Sequence, residues 1–159
     1  MTATTDRRPD NRSDGFTLVE IVVVVMILGI LAGVAAPRLM EAAGDAEMTS
    51  IVTQAQTVLD AAELFDARNG DLPPDAYPGA CPAGLEEFLS PKVFADRPLG
   101  GWWDYSPDYL GARGCLEIYN HTAPASVAAE IDARWDDGDP AAGSVRVEAS
   151  GDVIFLLDP

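Results

Sequence analysis

Residues 15–20 read Gly-Phe-Thr-Leu-Val-Glu, and an almost wholly apolar run follows at residues 21–36. Together these residues are the part of the sequence that decides the fold. At about 1.5 Å per residue, a helix over residues 16–36 matches the roughly 30 Å hydrocarbon core of a bilayer. One carboxylate, that of Glu20, lies near the start of this segment. Because a charge in lipid is costly unless it is neutralised or paired, Glu20 is the first candidate functional residue.

These residues also carry a family resemblance. The glycine, Phe16, the Thr-Leu-Val-Glu tetrad and the aliphatic run closing on Pro37 resemble the class III signal sequence of type IV pilins and type II secretion pseudopilins. The resemblance implies that a prepilin peptidase cuts between Gly15 and Phe16 and methylates the new amino terminus of Phe16. It also implies that Glu20 accepts the ammonium group of a neighbouring subunit's Phe16 during assembly. Such a pair neutralises two charges that are each costly in lipid.

Two simpler interpretations compete for this segment. A secretory signal peptide has a shorter apolar core, and the candidate cleavage site at residues 34–36 is followed by Pro37, which normally blocks cleavage. An uncleaved signal anchor would explain the length of the run and the basic residues on its cytoplasmic side, which are Arg7, Arg8 and Arg12. It leaves Glu20 unexplained.

Beyond Pro37 the helix is predicted to continue to about Arg68, with a kink at Pro37 because proline lacks the amide donor. Apolar side chains recur there at helical spacing, namely Met48, Ile51, Val52, Ala55, Val58, Leu59, Ala62 and Phe65. Asn69 and Gly70 predict its end. The domain prediction is therefore a leader at 1–15, a transmembrane half-helix at 16–37, an amphipathic half at 38–70 and a globular head at 71–159.

The head carries weaker patterns. We predict short helices at 82–90 and from about Pro124, an aromatic turn at 99–105, a strand at 115–119 and a hairpin of 144–148 with 153–157. The fold class predicted is α+β. In the resemblance this is a pilin-like fold, a long amino-terminal transmembrane helix with a small antiparallel sheet in its carboxy-terminal head.

Composition argues against several function classes. The formal net charge is −16, and nearly all of it falls after residue 37, so nucleic acid is a poor partner for the head. His121 is the only histidine, no glycine-rich phosphate loop is present, and the adjacent pair Glu86 and Glu87 point apart on a helix. We therefore expect that the protein is not an enzyme.

The two cysteines, Cys81 and Cys115, both lie in the part predicted to be exported, which favours one disulfide between them. Two buried thiols are the alternative. A metal site built on these cysteines would need more nitrogen or sulfur ligands than one histidine supplies.

An acidic run follows the second predicted head helix. Type II secretion major pseudopilins carry a calcium site in a carboxy-terminal loop, and the weak calcium candidates here are Asp132, Asp136, Asp137 and Asp139. Their spacing fits neither that loop nor an EF-hand, so a solvated acidic turn and no cofactor are expected. Trp102 and Trp103 are interpreted as core or subunit-contact residues, not as a sugar platform.

The resemblance implies a structural subunit of a type IV pilus-like filament, in the first instance a type II secretion pseudopilin. Its partners would be copies of itself, other pilin-like subunits, the peptidase and an inner-membrane assembly platform. It would be single-pass in a bacterial inner membrane, with the head in the periplasm. A minor type IV or competence pilin remains open, as does a membrane-anchored periplasmic binding module that uses the apolar helix only as a tether.

Overall fold

A computed structural model describes residues 16–109, 111–148 and 150–157. The predicted leader, including Gly15, lies outside these residues. The chain divides at Gly44 into two units, and the second of them starts at Asp45.

One helix, α1, spans Leu18–Asn69 and includes Pro37. It runs without a break through Pro37 and Gly44, and the predicted kink at Pro37 stays a prediction. The side chains of residues 18–43 are exposed, although most of them are apolar. Among the described residues this helix is long and apolar enough to cross a membrane.

The part of α1 in the second unit is amphipathic, as its periodicity predicts. Its buried side chains recur every three or four residues and are Ile51, Val52, Ala55, Val58, Ala61 and Ala62. The helix ends where Gly70 takes a positive φ of 81° and its amide donates to the Asp66 carbonyl oxygen at 2.7 Å. This left-handed glycine cap confirms the predicted end.

Four strands form an antiparallel sheet in the order β1-β2-β4-β3. They are β1 (Trp102–Pro107), β2 (Gly114–Tyr119), β3 (Val145–Val147) and β4 (Val153–Leu157). The predicted strand at 115–119 and the predicted pairing of the last two strands are confirmed. The aromatic turn predicted at 99–105 is wrong from residue 102 onward, because Trp103 and Tyr105 alternate into the core from β1.

Two further α-helices lie in the described part of the head. Helix α3 spans Ala125–Trp135 after Pro124, as predicted. The helix predicted at 82–90 is wrong in extent, since only a 3-10 turn at Leu85–Glu87 forms there, and a four-residue helix, α2 (Lys92–Ala95), follows the proline expected to end it.

The main core lies between the sheet and α1. Trp103, Tyr105, Leu116 and Ile118 face it from β1 and β2, and Ile131 reaches it from α3. The other face of the sheet carries a smaller apolar cluster of Ala112, Cys115, Ile154 and Leu156. Successive strand residues point to opposite faces, so β2 and β4 contribute side chains to both clusters.

Candidate functional site

The amino-terminal end of α1 forms a capping box around Glu20. The Thr17 amide and the Thr17 hydroxyl donate to the same Glu20 carboxylate oxygen, Oε2, at 3.0 and 2.8 Å. In return, the Glu20 amide donates to Thr17 Oγ1 at 3.2 Å. The Thr-x-x-Glu spacing is the sequence signature of this motif, and it could have been read from residues 17–20. The carboxylate thus has local partners in the single chain, beside an exposed Phe16.

A second site lies at the carboxyl end of α3. Carboxylate oxygens of Asp132, Asp136 and Asp137 lie within 4.8 Å of one another, and we call these three residues the carboxylate cluster. The structure therefore brings together three of the four acids singled out in the sequence. Asp139 lies outside the cluster, and its carboxylate accepts the Ala141 amide at 3.1 Å.

Asp132 is fully buried, which the sequence interpretation of a solvated turn had wrong. The helical face that carries Ala128 and Ile131 into the core also carries Asp132 inward. Neither of its carboxylate oxygens has a partner that meets the distance and angle limits of a hydrogen bond. Burial raises the pKa of Asp132, and the charges of Asp137 and Asp136 raise it further, while the nearby backbone amide of Gly138 lowers it.

The backbone of the following loop fixes Asp136. Its Oδ2 accepts the Val145 amide at 2.7 Å, which ties the cluster to the first residue of β3. Gly143, with a positive φ of 71°, allows this approach, since a Cβ there would lie 2.1 Å from the same oxygen. The loop backbone therefore holds the Asp136 carboxylate in place next to those of Asp132 and Asp137.

The donor set of the cluster fits a hard cation. Ca²⁺ takes six to eight oxygen ligands, chiefly carboxylate, carbonyl and water oxygens. A fully buried carboxylate without a hydrogen-bonding partner is destabilising unless a charge neutralises it. The residues that could hold a cation are thus Asp132, Asp136 and Asp137, with Asp132 the buried member.

In this structure Cys81 and Cys115 are free thiols, so the predicted disulfide is not formed here and stays a prediction. Cys81 packs against the main core, whereas Cys115 belongs to the cluster on the opposite face of the sheet. The sheet therefore separates the two sulfur atoms. Burial raises the pKa of Cys115 to about 12, which makes it an unreactive thiol.

A pair of acids on the sheet face opposite α1 was not identified from the sequence. Asp104 and Glu117 are directly opposed on β1 and β2, and both are half-buried. Burial, and then the charge of Asp75, raise the pKa of Asp104 to about 6. Burial, followed by the charges of Asp152, Asp104 and Glu148, raise the pKa of Glu117 to about 7. Strand alternation together with the register would have revealed the pair, but the sequence does not give the register.

This pair predicts that the head becomes less stable as the pH rises from 5 to 8. Because both folded-state pKa values exceed the ordinary ones, the folded state binds more protons, and that stabilisation is lost as the pH passes the raised values. We expect the melting temperature, measured in EDTA, to fall by about a few degrees. The variant Glu117→Gln should flatten this dependence, and Glu63→Gln, an exposed control on α1, should not. Equal slopes for wild type and Glu117→Gln would contradict the assignment.

Three features together define a pilin-like protein. The long helix has an exposed apolar segment that is long enough to span a membrane, this segment begins with a capping box around a single acid, and the head contains a small antiparallel sheet. The family model of the prokaryotic N-terminal methylation motif matches residues 10–36. The chain is 36% identical over 124 residues to the type II secretion system core protein G of Pseudomonas aeruginosa, a match covering 69% of this chain and 82% of that protein. It is also 36% identical over 87 residues to the protein of the same name from Aeromonas hydrophila, covering 55% and 57% of the two chains.

No solved structure matches the chain with significance. The identity and coverage of the Pseudomonas protein nevertheless establish the relationship: the chain belongs to the pilin and pseudopilin family. This family consists of structural subunits, not of enzymes.

Proposed function

We propose that the chain is a pseudopilin of a type II secretion system. The single observation that carries the proposal is its similarity to core protein G along most of that protein. The methylation motif at residues 10–36 supports the processing step, in which a prepilin peptidase cuts before Phe16 and methylates it. The cut frees an amine next to the acid at residue 20.

In the proposed orientation α1 crosses the inner membrane once. The arginines at the amino terminus stay in the cytoplasm, and the acidic head lies in the periplasm. The exposed apolar side chains of residues 18–36 meet lipid first and neighbouring α1 helices after assembly. Gly29 and Gly33 have nothing within 4 Å of where a Cβ would lie, so they leave space for close helix approach.

Assembly in this proposal exchanges partners at Glu20. In the single chain its carboxylate accepts from Thr17. In the filament it would accept from the methylated amine of Phe16 in an adjacent copy, a charged donor that makes a stronger bond than a neutral hydroxyl. Until the adjacent copy binds, the hydrogen bonds from Thr17 satisfy the Glu20 carboxylate.

We also propose that the carboxylate cluster binds Ca²⁺ in the periplasm. Asp132, Asp136 and Asp137 would supply carboxylate oxygens, and the charge of the ion would neutralise the buried Asp132. What supports this is the full burial of Asp132 and the grouping of the three carboxylates within 4.8 Å of one another. The expected role is structural, namely to hold the end of α3 against the loop that leads to β3.

The experiment that tests the filament function is co-expression of the full chain with a prepilin peptidase and a type II secretion assembly platform, followed by shearing of the cells. The chain should be recovered in sheared filaments. Recovery in the membrane fraction alone, with a cleaved amino terminus, would favour a tethered binding module and overturn the proposal.

A further inference from the structure

The sheet of the head has two outer strands, β1 and β3, each of which pairs with a strand on one side only. In an antiparallel pair, alternate residues turn both their amide and their carbonyl group away from the partner strand. On β3 these residues are Val145 and Val147, whose amides bind groups outside the sheet. An outer strand is a template for a strand of another molecule unless its outward groups are covered.

The segment between α3 and β3 covers the outer edge of β3, and we call its residues, 136–144, the edge loop. The Val145 amide donates to Asp136 Oδ2 at 2.7 Å. The Val147 amide donates to the Pro140 carbonyl oxygen at 2.9 Å. The edge loop therefore occupies both of the outward-facing amides of this three-residue strand.

The other outer strand, β1, is also bound by an irregular segment of the same chain. The Gly79 amide donates to the Trp103 carbonyl oxygen at 2.7 Å. Glycine permits this contact, because its φ is 82° and a Cβ would lie 2.7 Å from an atom of the Trp102 ring. Further along β1, the Ser106 hydroxyl donates to Asp75 Oδ1 at 3.2 Å. Both outer strands are thus in contact with segments that are not strands.

We propose that the edge loop prevents β3 from pairing with the sheet of a second copy of the chain, because it occupies the amides that such pairing needs. The contacts that carry this inference lie between the loop and β3, and they need no cation at the carboxylate cluster. The inference goes beyond the proposed filament role and does not depend on it. Pairing of heads through their sheets would compete with any assembly through α1.

Asp136 is the member of the edge loop whose contact can be removed by substitution. The partner of Val147 is a main-chain carbonyl, which every residue at position 140 would keep, whereas the partner of Val145 is the Asp136 side chain. The variant Asp136→Ala therefore frees the amide at the start of β3. Since one hydrogen bond changes an association constant by up to about tenfold, we expect the heads to associate at an about tenfold lower concentration.

Light scattering of the full chain in detergent and EDTA, over a series of concentrations, measures this association. Hydrogen exchange at residues 145–147 shows whether β3 is the surface involved, since exchange there should slow as Asp136→Ala associates. The variant Asp136→Asn keeps a side-chain oxygen that can accept the amide and should behave as the wild type does. So should Asp137→Ala, which alters the same carboxylate cluster, because the Asp137 carboxylate accepts the Asp139 amide and not an amide of β3.

A double variant separates a free edge from a merely less stable head. Adding Val145→Pro to Asp136→Ala removes the freed amide and leaves the ladder to β4 intact, because this amide points away from β4. The double variant should be less stable, since Val145 is buried, and yet should return to the wild-type level of association.

Two outcomes would overturn the proposal. If Asp136→Ala associates no more than the wild type, the edge loop does not block pairing. If the double variant associates as much as Asp136→Ala, the cause is the loss of stability and not the free amide. Neither result affects the filament assignment, which is tested by the shearing experiment.

Discussion

The variant Glu20→Ala is expected to insert in the membrane and to be cleaved before Phe16, but to disappear from sheared filaments. The carboxylate is the acid near the start of the apolar run, and without it the methylated amine of a neighbouring subunit has no counter-charge in lipid. Breaking a desolvated charge pair by removing one partner is strongly unfavourable. We expect the filament yield, measured by immunoblot of the sheared fraction, to fall at least about a hundredfold.

Two controls separate assembly from helix capping. Thr17→Val removes the hydroxyl of the capping box and keeps the carboxylate, so its effect should be that of a lost cap and much smaller. Glu41→Ala removes an exposed acid of the same helix outside the apolar run and should assemble normally. Filaments of Glu20→Ala at the wild-type level would refute the role of this residue.

Calcium is expected to raise the melting temperature of the wild-type head by about 10–20 °C when it is present at about a hundred times its dissociation constant. That excess corresponds to about 2.7 kcal/mol, and a domain of this size gains about 4–8 °C per kcal/mol. The physical reason is that the ion neutralises the buried Asp132 and its neighbours. Circular dichroism melts of the full chain in detergent, with CaCl₂ or EDTA, measure it.

The variant Asp132→Asn tests whether the calcium-dependent rise in melting temperature depends on this carboxylate. Without calcium it should be at least as stable as the wild type, because it removes a carboxylate that is fully buried beside two other acids. With calcium it should gain almost nothing. Asp139→Asn, outside the cluster, should respond as the wild type does. A full calcium response in Asp132→Asn would show that the ion binds elsewhere.

The helix and its end were predictable because their causes are local. The aliphatic run, the amphipathic spacing after residue 47 and the glycine at residue 70 each act within a few residues along the chain. The same holds for α3 after Pro124 and for the last two strands. At strand β1 the sequence predicts a turn, because Gly100 and Gly101 precede an aromatic cluster. The burial of Trp103 against α1, which makes it a strand residue, is not visible in the sequence.

The candidate sites depended on information that a sequence does not carry. Cys81 and Cys115 suggested a disulfide by count and compartment, but the sheet places them on opposite faces. The acidic run suggested a solvated turn by composition, but the apolar face of α3 carries Asp132 inward. Which side of an element faces the core depends on tertiary packing. In a helix as short as α3, the spacing of apolar residues does not determine whether a neighbouring residue such as Asp132 is buried.

The measurement that tests the central claim most directly is the mass of the chain recovered from sheared filaments. That claim is that one helix first anchors the subunit and then, once its amino terminus has been freed, builds the filament. We expect a single species that begins at methylated Phe16, with its amine available to Glu20 of a neighbour. Filaments composed of chains that still carry residues 1–15 would contradict it, because the amine would then not exist at that position.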